Sequence, residues 1–371
     1  MSVKKKKIVL LSSTLAGGGA EGVCVSIANS FANNGWRVDL IVLNLKNEAY
    51  LERVSTKINI IVLNINHARN SGLFLLKYIL KNKPKVLLVF NYELSVILII
   101  LKTFLRLNIK IISRNINVLS INLKELKKQS FWLKYIVTPL IRYFYHKMDH
   151  IINQCSVMRE DLLSVHPQLD QFSSIIYNPI SSYISDYVST HNLDKIKKEN
   201  YLLCVGRLEK QKAFHYAIKG FAEIAQKHPN LRLKIVGEGS LEHELKQEAV
   251  RLRVSDRVDF EGFQKNIIKY YLYAKGTILT SLYEGYPNVL IESIALNTPV
   301  IAFDCPSGPS EIIQDGINGY LVNHKDVNDL KKKLLITLSK KFIKKDMQIS
   351  LKKNNISEVF KYYRNLVNSF I

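Results

Sequence analysis

Short, almost wholly apolar segments recur along this chain, each followed by a stretch with helical spacing, and the series runs twice. The first series holds "KIVLLSS" (7–13), "RVDLIVLN" (37–44), "NIIVLN" (59–64), "KVLLVFN" (85–91), "KIISRN" (110–115) and "HIINQ" (150–154). "AEGVCVSIANSFANN" between the first two reads as a helix that stops at Gly35, where a glycine C-terminus is expected. "IIYNPISS" (175–182) breaks the pattern, and a polar stretch runs on to Asn200. The series then restarts with "YLLCVGRL" (201–208), "RLKIVGEG" (232–239), "RVDFEGF" (257–263), "GTILTSL" (276–282), "PVIAF" (299–303) and "GYLVN" (319–323), with helices expected over 213–227 and 241–252. A strand that is apolar along its whole length needs cover on both faces. Alternation with helices therefore implies a parallel sheet between two helical layers, in each half.

A chain of 371 residues exceeds what one core usually supports, which agrees with two α/β domains, 1–180 and 181–355, and a helical tail at 356–371. Two such domains facing across a cleft place strand C-terminal ends, and so ligands, at the cleft. The four cysteines (24, 155, 204, 305) are scattered without metal-like spacing, so reduced buried thiols are expected. The N-terminal "KKKKIVLLSS" is too short in its apolar run for a signal peptide and leads into a Gly-rich turn. "LSVILIILKTFL" (94–105) is interrupted by Lys102 and falls short of the roughly 20 residues of a membrane span, so a buried helix is expected.

"SLYEGYPNVLIES" (281–293) carries the most chemistry. Pro287 suits a first helical turn and Val289, Leu290 and Ile291 continue apolar, which places Glu284 before the helix and Glu292 about one turn inside it. The unpaired amides of that first turn attract anions, and carboxylates on either side accept hydrogen bonds from hydroxyls. A sugar nucleotide has this layout: hydroxyls, diphosphate, hydroxyls.

Other motifs leave two readings open. "GGGAEG" (17–22) satisfies G-x-G-x-x-G, but no acid ends the second strand, since Asp39 lies at its start. NAD is discounted, leaving either backbone amides offered to a ligand or a plain tight turn. "GRLEKQKAF" (206–214) puts Arg207 and Lys212 beyond a strand end, as a diphosphate clamp or as two solvated charges. "VGEG" and "FEGF" are strand-to-helix turns able to receive a nucleobase through backbone groups, although Gly at such turns is common for geometry alone. There is no D-x-D, P-loop, H-E-x-x-H or G-x-S-x-G, so metal-free electrostatic catalysis is the consistent expectation.

Together "GGGAEGV", "YNPI", "VGRLEKQKAF", "VGEG", "FEGF", "SLYEGYPNVLIESIALNTPVIAFDCPSGPSEII" and "DGINGYLV" resemble the retaining GT-B glycosyltransferases of glycosyltransferase family 4. The resemblance covers nearly the whole chain and is most specific over 201–325. Its wording is similar to bacterial enzymes of lipid-linked oligosaccharide, O-antigen or capsule synthesis. It implies two Rossmann-like domains, an acceptor domain (1–180) and a nucleotide-sugar domain (181–355), with the last helix crossing back to the first. It implies catalytic roles for Glu284 on the transferred sugar and for Arg207 and Lys212 on the diphosphate. Donor binding falls to Glu292 on the ribose, to Gly18 and Gly19, to Gly237, Gly262 and Phe263, and to Gly285 and Pro287 through Leu290, Asn288 and Val289 included. No metal or other cofactor is implied. The chain departs from the family at Gly22, at Ala213 and at Arg114 and Asn115, where the family often has Arg, Gly and a nearby His.

Of the net charge of +22, residues 1–180 carry +14, which favours anionic partners. Residues 119–148 interleave Lys124, Lys127, Lys128, Lys134, Arg142 and Lys147 with Phe131, Trp132, Tyr135, Tyr143 and Phe144, as either a helix on an anionic membrane or a core-facing helix with a solvated basic face would; the charge of this half favours the membrane. The expected partners are thus a nucleotide sugar, a lipid-linked saccharide and the inner face of the cytoplasmic membrane, with Arg114 and Asn115 on the acceptor side. The rival readings are a GT-B sugar-nucleotide epimerase and a nucleic-acid binder. No groove-reading element supports the second.

Overall fold

The computed structural model describes residues 5–46, 48–121, 123–124, 134–135 and 138–371. The chain divides into two compact units, residues 1–181 with 356–371, and residues 182–355.

Among the described residues, unit 1 is built on seven parallel strands: β1 (Lys7–Ser12), β2 (Arg37–Val42), β3 (Asn59–Val62), β4 (Val86–Val89), β5 (Lys110–Arg114), β6 (His150–Asn153) and β7 (Ser173–Ile175). Their order is β3-β2-β1-β4-β5-β6-β7. Every residue of β4 is buried, as its unbroken apolar run requires. The seventh strand was not expected from the sequence. It pairs with β6 over three residues only, and two of them are serines, so its sequence lacks the apolar signature.

Helices α1 (Gly19–Asn33), α2 (Gly72–Asn82) and α3 (Tyr92–Leu105) cover this sheet. The Asn91 side chain caps α3 by accepting the Leu94 amide at 3.0 Å. Leu94, Val96, Leu98 and Ile99 of α3 are buried, so the apolar run there is core. Among the described residues no helix is long and apolar enough to cross a membrane. The C-terminal helix Ile356–Asn368 belongs to unit 1, where Val359, Phe360, Tyr363 and Val367 are buried with the α1 core. Phe360 meets Phe31 of α1 edge to face at 5.0 Å, a pairing that adds about 0.5–1.5 kcal/mol to the burial.

Unit 2 carries β8 (Tyr201–Val205), β9 (Arg232–Val236), β10 (Val258–Phe260), β11 (Gly276–Leu279), β12 (Val300–Phe303) and β13 (Gly319–Val322), parallel and ordered β10-β9-β8-β11-β12-β13. The polar stretch before β8 contains a helix, Ser182–Thr190, contrary to the sequence reading; its Ser, Asp and Thr residues masked the spacing of Ile184 and its neighbours.

Just before β8, Lys198 is half-buried, donating to the Leu272 carbonyl at 2.8 Å and to Thr298 Oγ1. Burial first, and the nearby Lys344 second, bring its pKa down to about 7. An unfolded lysine keeps its proton to about pH 10. Between pH 7 and 10 the unfolded chain therefore binds more protons, and stability rises with pH over that window. Relative to Lys198→Met, the wild-type unit should gain about 2 kcal/mol from pH 7 to 9, read from urea midpoints at both pH values. Parallel curves for the two proteins would refute this.

Candidate active site

In unit 2 the strand order reverses between β8 and β11. The loops after those two strands run to opposite sides, which opens a crevice beyond the strand C-terminal ends. These loops are 206–213 and 280–287. They are tied together: the Leu282 amide donates to the Gln211 carbonyl at 2.8 Å, and Gln211 Nε2 to the Tyr283 carbonyl at 2.9 Å. Thr280 Oγ1 donates to the carbonyls of Lys212 and Ala213 at 3.2 and 3.1 Å.

At this point the structure joins two residues that the sequence assigned separately. Lys212 Nζ lies 2.5 Å from Glu284 Oε1, and Ser281 Oγ donates to the same oxygen at 2.6 Å. Glu284 is 7% exposed. The Lys212 stem lies over Gly206, where a Cβ would meet it at 3.2 Å. An ammonium has three donors and Glu284 takes one of them, so the pair fixes the cation's position while leaving donors for an anion. Cys305 lies beside the pair; burial, with Glu284 adding, pushes its thiol up to about 12 despite Lys212. The ion pair of Glu284 is with Lys212 and not with Arg207. The Arg207 side chain is exposed, near Glu209, whose carboxyl is held low chiefly by the Ser240 amide.

The helix Asn288–Ala295 begins directly after this loop. Pro287 is its N-cap rather than its first helical residue, with φ −72° and ψ 107°, and the first turn carries no acidic side chain. Glu292 sits one turn in, as expected, and Tyr271 Oη donates to its Oε2 at 3.3 Å. The next loop packs on Gly285: Ser307 Oγ donates to the Gly285 carbonyl at 2.8 Å.

The turns after β8, β9 and β10 lie side by side. The Gly237 amide donates to the Gly262 carbonyl at 2.8 Å, and the Phe263 amide to Glu238 Oε1 at 3.2 Å. Gly237 has φ +138°, and a Cβ there would fall 2.0 Å from the Gly206 carbonyl oxygen, so the position admits only glycine. Phe263 is 46% exposed. Sequence reading missed Ser281, Gln211, Tyr271 and Glu238. Glu238 was visible inside "VGEG", but only the glycines were weighed.

Gly18 and Gly19 belong to unit 1, at the start of α1. The Glu21 carboxylate folds back over Gly18, 2.2 Å from where its Cβ would stand, and accepts from Thr14 Oγ1 at 3.3 Å. The turn is thus already faced by an acid, which the sequence reading did not anticipate. Asp39 is tied by Lys7 at 2.8 Å and by Asn59 at 2.9 Å, which accounts for it without a dinucleotide.

Arg114 and Asn115 do not face a lipid surface, because both are buried. Arg114 donates to Asn178 Oδ1 and lies over the Phe90 ring at 5.4 Å. Asn178 donates to Gln154, and Gln154 to the Asn115 carbonyl at 2.6 Å, which closes a buried polar network at the ends of β5 and β6. Among the expected membrane residues, Lys124 is exposed, while Lys127, Lys128 and Trp132 lie outside the described residues.

Residues 190–356 match the family Glycosyl transferases group 1. Two curated relatives are 32% identical: the uncharacterized glycosyltransferase MJ1059 of Methanocaldococcus jannaschii over 199 residues (52% of this chain, 49% of that one), and a Campylobacter jejuni enzyme over 192 residues (52% and 51%). The second is N-acetylgalactosamine-N,N'-diacetylbacillosaminyl-diphospho-undecaprenol 4-alpha-N-acetylgalactosaminyltransferase. The chain spans about half the length of these two curated relatives. Among solved structures, Anabaena Alr3699/HepE in complex with UDP and glucose superposes with a TM-score of 0.76 at 18% identity, covering 98% of this chain and 100% of that one. The fold is that of the GT-B glycosyltransferases. Residues 190–356 carry the likeness to the group 1 glycosyl transferases, over somewhat less than half of the chain.

Proposed function

We propose that this chain transfers a hexosyl or N-acetylhexosaminyl group from a UDP-linked sugar to a lipid-linked saccharide, with retention and without a metal or other cofactor. The observation that carries the reading is the Lys212–Glu284 pair at the crevice of unit 2, directly ahead of the Asn288–Ala295 helix start. Cation and helix amides together can hold a diphosphate and take up the charge that gathers on it as the anomeric C–O bond breaks. The acceptor hydroxyl then attacks from the face the diphosphate leaves, and its proton passes to the departing phosphate oxygen. In this reading Glu284 accepts from a sugar hydroxyl while anchoring Lys212, and Glu292 accepts from the ribose. Support for the donor comes from the likeness to a protein solved with UDP and glucose. Support for the acceptor comes from a relative named for a diphospho-undecaprenol substrate. The setting is the anionic cytoplasmic face of a bacterial membrane, in surface polysaccharide synthesis of the lipopolysaccharide, O-antigen or capsule kind.

A thermal-shift screen of UDP-glucose, UDP-galactose, their N-acetylhexosamine counterparts and GDP-mannose tests the donor. A ligand at 100 times its Kd adds about 2.7 kcal/mol, so one UDP-sugar should raise the midpoint by several degrees. No shift with any UDP-sugar contradicts the proposal.

A further inference from the structure

We propose that the outer face of the helical layer formed by α2, the end of α3 and the helix Thr138–Phe144 is a docking surface for an anionic lipid bilayer. The inference rests on the lipid-linked acceptor proposed above and extends the contact from the 119–148 segment to α2 and the end of α3, which the sequence did not single out. All three helices cover the same face of the unit 1 sheet, with Leu75, Ile79, Leu98, Ile141 and Phe144 turned into one core. Their outward side chains are not those of a solvated layer. On α2, Leu73 is 72% exposed and Leu80 58%, with Phe74 exposed beside them and Lys77 and Lys81 on the same stripe. A surface helix ordinarily turns polar residues outward at this spacing.

The apolar character continues onto the neighbouring helices. Phe104, 73% exposed at the end of α3, is followed by exposed Leu105 and Arg106. Its ring lies 6.4 Å from Phe144, which meets Tyr143 at 5.0 Å, and Lys147 Nζ stands 4.8 Å from the Tyr143 ring centre. Beside them is an open groove of about 510 Å³ lined by Lys134, Tyr135, Thr138, Pro139, Arg142 and Tyr143. Two cations and two phenols there suit a phosphate headgroup and the chain attached to it.

Charge selects the occupant. Lys77, Lys81, Arg106, Lys134 and Arg142 are exposed on these elements among the apolar side chains, and α2 and the helix Thr138–Phe144 carry no acid. A second copy of the chain would set cations against cations. A nucleic acid would have no use for exposed Leu73, Leu80 and Phe104. A bilayer with anionic headgroups takes both, burying the apolar side chains at the interface while the lysines and arginines meet phosphates.

The test is co-sedimentation of the full chain with phosphatidylcholine vesicles, with and without one-quarter phosphatidylglycerol, at low and high salt. Wild type should pellet with the anionic vesicles at low salt only. Leu73→Gln with Phe74→Gln and Leu80→Gln, or Phe104→Gln with Leu105→Gln, should lower partition at least tenfold. Each of Lys77→Gln, Lys81→Gln and Arg142→Gln should lower it about fivefold. All of these positions are exposed, so the UDP-sugar thermal shift should be the same in every variant. Variants that pellet like wild type overturn the proposal. So does a lipid-free dimer, seen by light scattering, that the apolar substitutions abolish. Salt-sensitive pelleting without any nucleotide-sugar shift supports the docking face while contradicting the donor assignment, so the two fail separately.

Discussion

Replacing Lys212 by methionine is expected to lower transfer from the nucleotide sugar by about 10²- to 10³-fold, the range seen when one donor to a developing charge is removed. The same substitution strips the partner from Glu284, which is almost wholly buried. Breaking a buried pair on one side costs about 3–5 kcal/mol, so unit 2 should also lose stability. The two effects separate in the double variant Lys212→Met with Glu284→Gln. A neutral pair no longer buries an uncompensated charge, so the urea midpoint should return most of the way. The rate should not return, because the cation for the diphosphate is still missing. Recovery of both stability and turnover would show that Lys212 matters only as a structural partner.

The second large effect is expected at Glu292. A hydrogen bond to a charged acceptor contributes about 1.5–3 kcal/mol, and a carboxylate facing a ribose can accept two. Glu292→Ala should therefore raise the donor KM by 10²-fold or more while leaving the fold intact, since the side chain is only half-buried. A 2'-deoxy donor should cost wild type at least tenfold and cost the variant nothing. Tyr271→Phe serves as the control for the protein's own hydrogen bond and should change KM little. Equal discrimination against the deoxy donor by wild type and Glu292→Ala would remove the ribose from this residue.

The architecture was largely legible because burial on both faces forces strands such as Val86–Val89 and Val300–Phe303 to be apolar throughout. It failed where that force is weak. β7 is short and begins with serines, and the Ser182–Thr190 helix is too polar to show its spacing. At the site, the placing of Glu284 and Glu292 around a helix start could be read locally, since Pro287 and the apolar residues after it mark the start. The Lys212–Glu284 pair could not, because 72 residues separate its members and only the parallel order β8-β11 brings their loops together. The surroundings of Arg114 were illegible for the same reason, since only the folded chain brings Asn178 and Phe90 against it. The family's Gly at position 213 also becomes intelligible: Ala213 stands at φ +45°, a conformation that glycine adopts without strain.

Calorimetric titration of the full chain with uridine, UMP and UDP tests the grip on the leaving group most directly. Affinity should climb steeply from uridine to UDP in wild type, and most of that climb should vanish in the Lys212→Met, Glu284→Gln double variant. Equal binding of all three compounds, or an undiminished preference for UDP in the variant, would contradict the account.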